Sequence, residues 1–115
     1  MDINAAGLAE TARTITDAGG LCANYCGDLG LPSNCADAVN VAIEAFGRLD
    51  VLCNVAGILR FHALADVSAE DWNKLFAVNV TAPFFMTQAA MPHLVESKGN
   101  VVNVASTAAF IGQSY

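Results

Sequence analysis

The order of apolar patterns along the chain predicts an α/β domain built on a doubly wound parallel sheet. The first observation is alternation: stretches with apolar residues at helical spacing take turns with short apolar runs of strand length, in the order helix, strand, helix, strand, helix, strand. The second is the run from Leu49 to Gly57, Leu-Asp-Val-Leu-Cys-Asn-Val-Ala-Gly, bounded by Gly47 before it and ending in Asn54, Ala56 and Gly57. A run of that kind fits a central strand with helices covering both faces. The third is the residue set at the end of each strand: Asp28 after the first, Asn54, Ala56 and Gly57 at the second, Ser106 and Thr107 after the third. Open parallel sheets bind their ligands at the carboxyl ends of the strands, so each strand here ends in residues suited to a site.

The first element is a helix. Asn4 is a good helix cap, and Ala5, Leu8, Ala9, Ala12 and Ile15 recur at helical spacing until Gly19 and Gly20 stop them. Leu21 to Cys26 reads as a strand, succeeded by Gly27-Asp28-Leu29-Gly30 and a helix start at Pro32-Ser33-Asn34. That second helix runs to Phe46 with Val39, Ile43 and Phe46 on one face. After the central strand a loop extends through Asp66. Ser68 with Asp71 then resembles a capping box made with Asp, opening the longest helix, Ser68 to Ser97. Along it Trp72, Leu75, Phe76, Val80, Phe84, Met91, Leu94 and Val95 keep close to one face, expected to lie against the sheet. Asn100 to Ala105 is the last strand.

The whole chain, residues 1–115, reads as one domain, and its 55% apolar content requires extensive burial. Charged and polar residues interrupt every apolar block before membrane-spanning length is reached, and the start shows no basic region leading into an apolar core. The expectation is a cytoplasmic protein with no membrane partner. Eleven acidic residues against five basic ones give a net charge of -6, which argues against nucleic acid. Cys22, Cys26, Cys35 and Cys53 form no Cys-x-x-Cys pair and read as buried reduced thiols; no metal set is expected. His62 and His93 stand alone, without a second ligand at metal spacing or a partner carboxylate in sequence.

Asn79 lies four positions after Leu75, on the stripe expected to face the sheet. A buried amide without partners costs roughly 1 to 3 kcal/mol. A core Asn satisfied by neighbouring backbone and a functional Asn are both consistent with its place. Pro83, four residues on, has no N–H to give to the Asn79 carbonyl, which frees a main-chain acceptor inside the helix.

Three ordered motifs carry a resemblance that covers essentially the whole chain. Asn54-Val55-Ala56-Gly57 resembles the Asn-Asn-Ala-Gly motif of the short-chain dehydrogenase/reductases, with Val55 in place of the second Asn. Asn79-Val80, in a helix opened by Asp71-Trp72, and Val102-Asn103-Val104-Ala105-Ser106 are similar to that family at its usual spacings. The resemblance implies an incomplete Rossmann-like sheet and an oxidoreductase that interconverts an alcohol and a ketone or aldehyde with NAD, NADP being less favoured. It implies that Ser106 polarises the substrate oxygen and that the Asn79 main-chain carbonyl holds a water of a proton relay. Asn54, Ala56 and Gly57 resemble the segment along the cofactor, where glycine permits close backbone approach; a structural turn is the other reading. Asp28-Leu29 resembles the acidic-apolar pair at the adenine, though a turn Asp between glycines fits as well. Asp2 resembles the carboxylate at the end of the family's second strand, which accepts from the ribose and repels a 2′-phosphate.

The family also has a first strand with a glycine-rich turn, expected before Asp2, and a Tyr-x-x-x-Lys motif, expected beyond Tyr115, so Tyr115 is not its catalytic tyrosine. The chain therefore reads as an internal part of a longer enzyme, inactive alone and poorly folded. In the family's sheet two strands lie between Leu21–Cys26 and the central strand, and without them those neighbours stand roughly 14 Å apart with unpaired edges. In the family the helix corresponding to 68–97 commonly packs against its copy in another subunit, so the resemblance implies a homo-oligomer in the parent protein. Only the loop Ile58 to Val67, with Leu59, Phe61 and Leu64, remains of the side facing a small-molecule substrate. A nucleotide-binding domain without catalysis, and a structural or dimer-forming protein, stay open as alternatives.

Overall fold

The computed structural model describes residues 1–109 and 111, so the statement about Tyr115 lies outside the described residues. The element order is α1 (Ala5–Asp17), α2 (Pro32–Phe46), β1 (Val51–Asn54), α3 (Ala69–Phe76), a π-helical turn (Ala77–Thr81), α4 (Ala82–Ser97) and β2 (Asn100–Asn103), with short 3-10 turns at Leu64–Asp66 and Thr107–Ala109. β1 and β2 pair in parallel, Val51 opposite Asn100 through Asn54 opposite Asn103. The path between them through α3 and α4 is the crossover that a parallel pair requires.

Local chemistry sets the helix ends. The Asn4 side chain accepts from the Gly7 N–H at 3.1 Å and opens α1, and Pro32 occupies the first turn of α2. The Ser68 hydroxyl accepts from the Asp71 N–H at 3.0 Å and donates to its carboxylate at 2.7 Å. Val39 of α2, Leu52 of β1 and Ala90 and Leu94 of α4 form the buried centre, with Ile43, Met86 and Val101 packed against it.

Several expectations are corrected. The helix 68–97 is not uniform: its middle widens to a π turn in which the Ala82 N–H bonds to the Ala77 carbonyl five residues back. Pro83 comes next and has no N–H to donate, so the ladder loses a rung there and the backbone relaxes around the gap. The face against the core is Val78, Ala82, Met86, Ala90 and Leu94, whereas Trp72, Phe76, Val80, Phe84, Met91 and Val95 point outward, 45 to 69% exposed. Small alanines bring α4 close to the sheet, so the inner face carries less apolar bulk than the outer one. Asn79 accordingly lies outside the core and is exposed.

The stretch Leu21–Cys26 forms no strand and makes only one parallel bridge, Cys26 with Asp2. Asp2 thereby fills the position beside Cys26 that was expected to be vacant. The remaining opening is a cavity of about 240 Å³ lined by Met1 and Leu29 on one side and Cys53 to Ala56 on the other. A closed domain of this length has a radius of gyration of about 13 Å; here it is 16.1 Å, so the chain is less compact than such a domain. The same opening leaves Cys26 and Cys53 exposed, so only Cys35 is a fully buried thiol, and burial pushes it up from the ordinary thiol value. No helix among the described residues is long and apolar enough to cross a membrane.

Candidate functional site

The site is assembled where the chain leaves Cys26 and β1. Backbone bonds from the Asp2 N–H to the Tyr25 carbonyl (3.3 Å) and from the Gly27 N–H to the Asp2 carbonyl (3.1 Å) set the two segments side by side. The Asp2 carboxylate accepts from the Asn4 N–H at 2.9 Å. Asp28 is held in the next turn. One of its oxygens accepts from the Gly30 N–H at 2.8 Å and the other from the Lys74 ammonium of α3 at 2.5 Å.

The Lys74 hydrogen bond first, and the Gly30 N–H second, hold the Asp28 carboxyl below its ordinary value of 3.8. A carboxyl lowered in the folded state stabilises the fold fully above its ordinary value, and that contribution is lost as the pH falls through the lowered one.

Asp2, Asp28, Leu29, Ala56 and Gly57, five of the predicted cofactor residues, line one cleft of about 190 Å³ together with Ile58 and Lys74. The sixth, Asn54, lines the adjoining cavity, which shares Leu29 and Ala56 with the cleft. Its amide donates to the Asn103 side chain at 2.8 Å and to the Thr87 hydroxyl at 3.3 Å, and Thr87 in turn donates to the Pro83 carbonyl at 2.7 Å. Asn54 therefore joins the tips of β1 and β2 and fastens both to α4.

The two predicted catalytic residues lie outside these cavities. Asn79 grips the chain just after Gly57: its amide donates to the Ile58 carbonyl at 2.9 Å and its side-chain oxygen accepts from the Ile58 N–H at 2.8 Å. Both bonds involve the Asn79 side chain and not its main-chain carbonyl. Ser106 lies just past β2, exposed, and its hydroxyl accepts from the Ala108 N–H at 3.2 Å at the start of the 3-10 turn.

Lys74, Thr87 and Asn103 carry contacts that sequence reasoning missed, because residues so far apart along the chain meet only after folding. His62 is not without a carboxylate: its Nε2 lies 3.7 Å from Asp71, whose other oxygen is 3.8 Å from Arg60. Asp71 was legible as part of the helix start, which marked one member of that group. Among the described residues no cluster of His, Cys, Asp or Glu is placed to hold a metal ion.

The cleft presents two carboxylate acceptors beside an apolar Leu29 and the main chain of Gly57. A sequence profile described as short chain dehydrogenase matches residues 1–115. An uncharacterized oxidoreductase of Thermotoga maritima is 38% identical over 104 residues, 90% of this chain and 41% of that protein. An L-rhamnose 1-dehydrogenase (NAD(P)(+)) of a Sphingomonas species is 37% identical over 91 residues, 77% of this chain and 36% of that protein. Among solved structures, a metagenomic short-chain oxidoreductase in complex with NADP superposes with a TM-score of 0.84 at 31% identity, covering 90% of this chain and 48% of that one. The apo form of LigO from Sphingobium gives 0.89 at 28% identity, covering 97% and 42%. The chain thus spans about two fifths of the length of the curated relatives it matches.

Proposed function

The chain belongs to the short-chain dehydrogenase family, and from that premise we propose that it supplies the adenosine cleft and part of the active site of an NAD(P)-dependent oxidoreductase interconverting an alcohol and a ketone or aldehyde. The observation that supports this most directly is the convergence of Asp2, Asp28, Leu29, Ala56 and Gly57 on one cleft. In this reading Asp2 accepts from the ribose hydroxyls, Asp28 accepts from the exocyclic amine of adenine, Leu29 forms an apolar wall, and Ala56 and Gly57 run along the cofactor. The nicotinamide ring of the bound cofactor supplies or takes up the hydride. Ser106 donates a hydrogen bond to the substrate oxygen, which polarises the carbon beside it. The Asn79 main-chain carbonyl accepts from a water of the proton path, with no Pro83 N–H to compete for it.

Asp2, Asp28 and Lys74 together carry one net negative charge, which favours NAD over a cofactor bearing a 2′-phosphate. The test is equilibrium binding of AMP and its 2′-phosphorylated analogue to the full gene product. AMP is expected to bind, with the analogue weaker by about tenfold or more. Equal binding overturns the NAD preference, and no binding of either overturns the cleft. The isolated 115 residues, holding only this part of the site, are expected not to turn over.

The outward face of α3 and α4, with Trp72, Phe76, Val80, Phe84, Met91 and Val95 exposed, supports a homo-oligomer formed through that face. Sedimentation equilibrium of the full gene product is expected to give a dimer or larger, shifted toward monomer by Met91→Glu. A monomer at micromolar concentration counts against it.

A further inference from the structure

We infer that Lys74 is a positioning residue of the nucleotide cleft, fixing Asp28 in the orientation that reads the adenine amine. The inference rests on the adenosine reading of the cleft.

An exposed ion pair is ordinarily worth little, and four observations set this one apart. It links α3 to the turn after Cys26, segments 46 residues apart, at 2.5 Å. It meets a carboxylate whose other oxygen is already held by the Gly30 N–H at 2.8 Å, so the plane of the Asp28 carboxyl is fixed from two sides. Lys74, although its side chain is 44% exposed, lines the cleft together with Asp2, Asp28 and Gly57. Finally, Gly30 packs against the pair: a Cβ there would lie 3.1 Å from the Asp28 carboxylate and 3.4 Å from the Lys74 nitrogen. The charged groups around Lys74 are Asp28 on the turn, Asp2 across the cleft, Glu70 and Asp71 on its own helix, and Arg60 on the loop after β1.

A carboxylate oxygen has lone pairs enough for two partners. With one direction on each oxygen taken by Lys74 and Gly30, the directions that remain are fixed in space. An acceptor aimed in this way favours a base that presents an amine over one that presents a carbonyl at the same place. Without Lys74 the Asp28 carboxylate is still charged at neutral pH but free to turn, so what is lost is discrimination between bases.

The experiment compares AMP with inosine monophosphate, which carries a carbonyl in place of the amine, on the full gene product and its Lys74→Met and Lys74→Arg variants. The unsubstituted protein is expected to prefer AMP by about tenfold, Lys74→Met to lose most of that preference, and Lys74→Arg to retain it. By carboxyl NMR the titration of Asp28 moves up in Lys74→Met and back down in Lys74→Arg. If Lys74→Met weakens both nucleotides equally or leaves their ratio unchanged, the inference is overturned while the cleft stands. If the unsubstituted protein binds AMP without preferring it, the assignment of Asp28 to the amine falls and the role of Lys74 with it. If it binds neither, the adenosine reading falls as well.

Discussion

Replacing Ser106 with Ala in the full gene product is expected to lower alcohol oxidation, monitored as NADH formation, by about 100- to 1,000-fold, the usual effect of removing one donor to a developing oxyanion. AMP binding should not change, because Ser106 lines neither the cleft nor the adjoining cavity. The substitution also removes the hydrogen bond that the Ser106 hydroxyl accepts from the Ala108 N–H. A lost cap costs only about 1 kcal/mol, so a thermal melt separates the two effects. Ser106→Thr keeps a hydroxyl at the same position and should keep a measurable fraction of the rate, whereas Ala should not. Activity surviving in Ser106→Ala would leave Ser106 as the turn residue that its present contact describes.

The second large effect concerns stability. Gly99→Ala is expected to cost about 3 kcal/mol, in the range for forcing atoms into a packed interior. Gly99 stands where α4 hands the chain to β2. Its N–H bonds to the Leu94 carbonyl at 2.8 Å, and the next residue begins the sheet with the Asn100 N–H on the Asp50 carbonyl at 2.9 Å. A Cβ on Gly99 would overlap that same Asp50 oxygen and lie 2.8 Å from the Leu94 side chain. The obstacle on one side is backbone and cannot swing away. Either the first rung of the sheet opens or Leu94, in the buried centre, moves. Urea unfolding measures the outcome: the midpoint falls while the slope holds. An unchanged midpoint would mean that the α4–β2 corner yields at no cost.

How much of this was legible in the sequence depended on whether the signal was local. The caps at Asn4 and Ser68, the Pro32 helix start and the alternation of helix and strand from Pro32 onward are set by neighbouring residues, and these appear in the structure. The cleft was legible for a related reason: residues at the ends of strands in a parallel sheet gather at one edge, so Asp28, Ala56 and Gly57 meet without any long-range signal. What failed to show was what depends on packing. The spacing of the bulkiest apolar residues of the longest helix suggests that they form its inner face, yet they point outward, and Ala82 and Ala90 face the core because the close approach of α4 to the sheet favours small side chains. The clamp of Lys74 on Asp28 left no trace in pattern, since a lysine on a helix is ordinarily solvated. Leu21–Cys26 has the composition of a strand but pairs only at its end, where Asp2 lies beside it.

The grip of Asn79 on Ile58 bears on how the molecule tolerates change. With both main-chain polar groups of Ile58 occupied, the segment leading on toward Asp66 starts from a fixed post, and whatever it does begins after that point. Gly57 and Ala56, on the other side of the post, are insulated from it. Leu59 through Asp66 can then be exchanged for a loop of different length or composition without resetting the nucleotide side. Under the function proposed above, such an arrangement would let the scaffold be refitted to new substrates while its coenzyme stays the same.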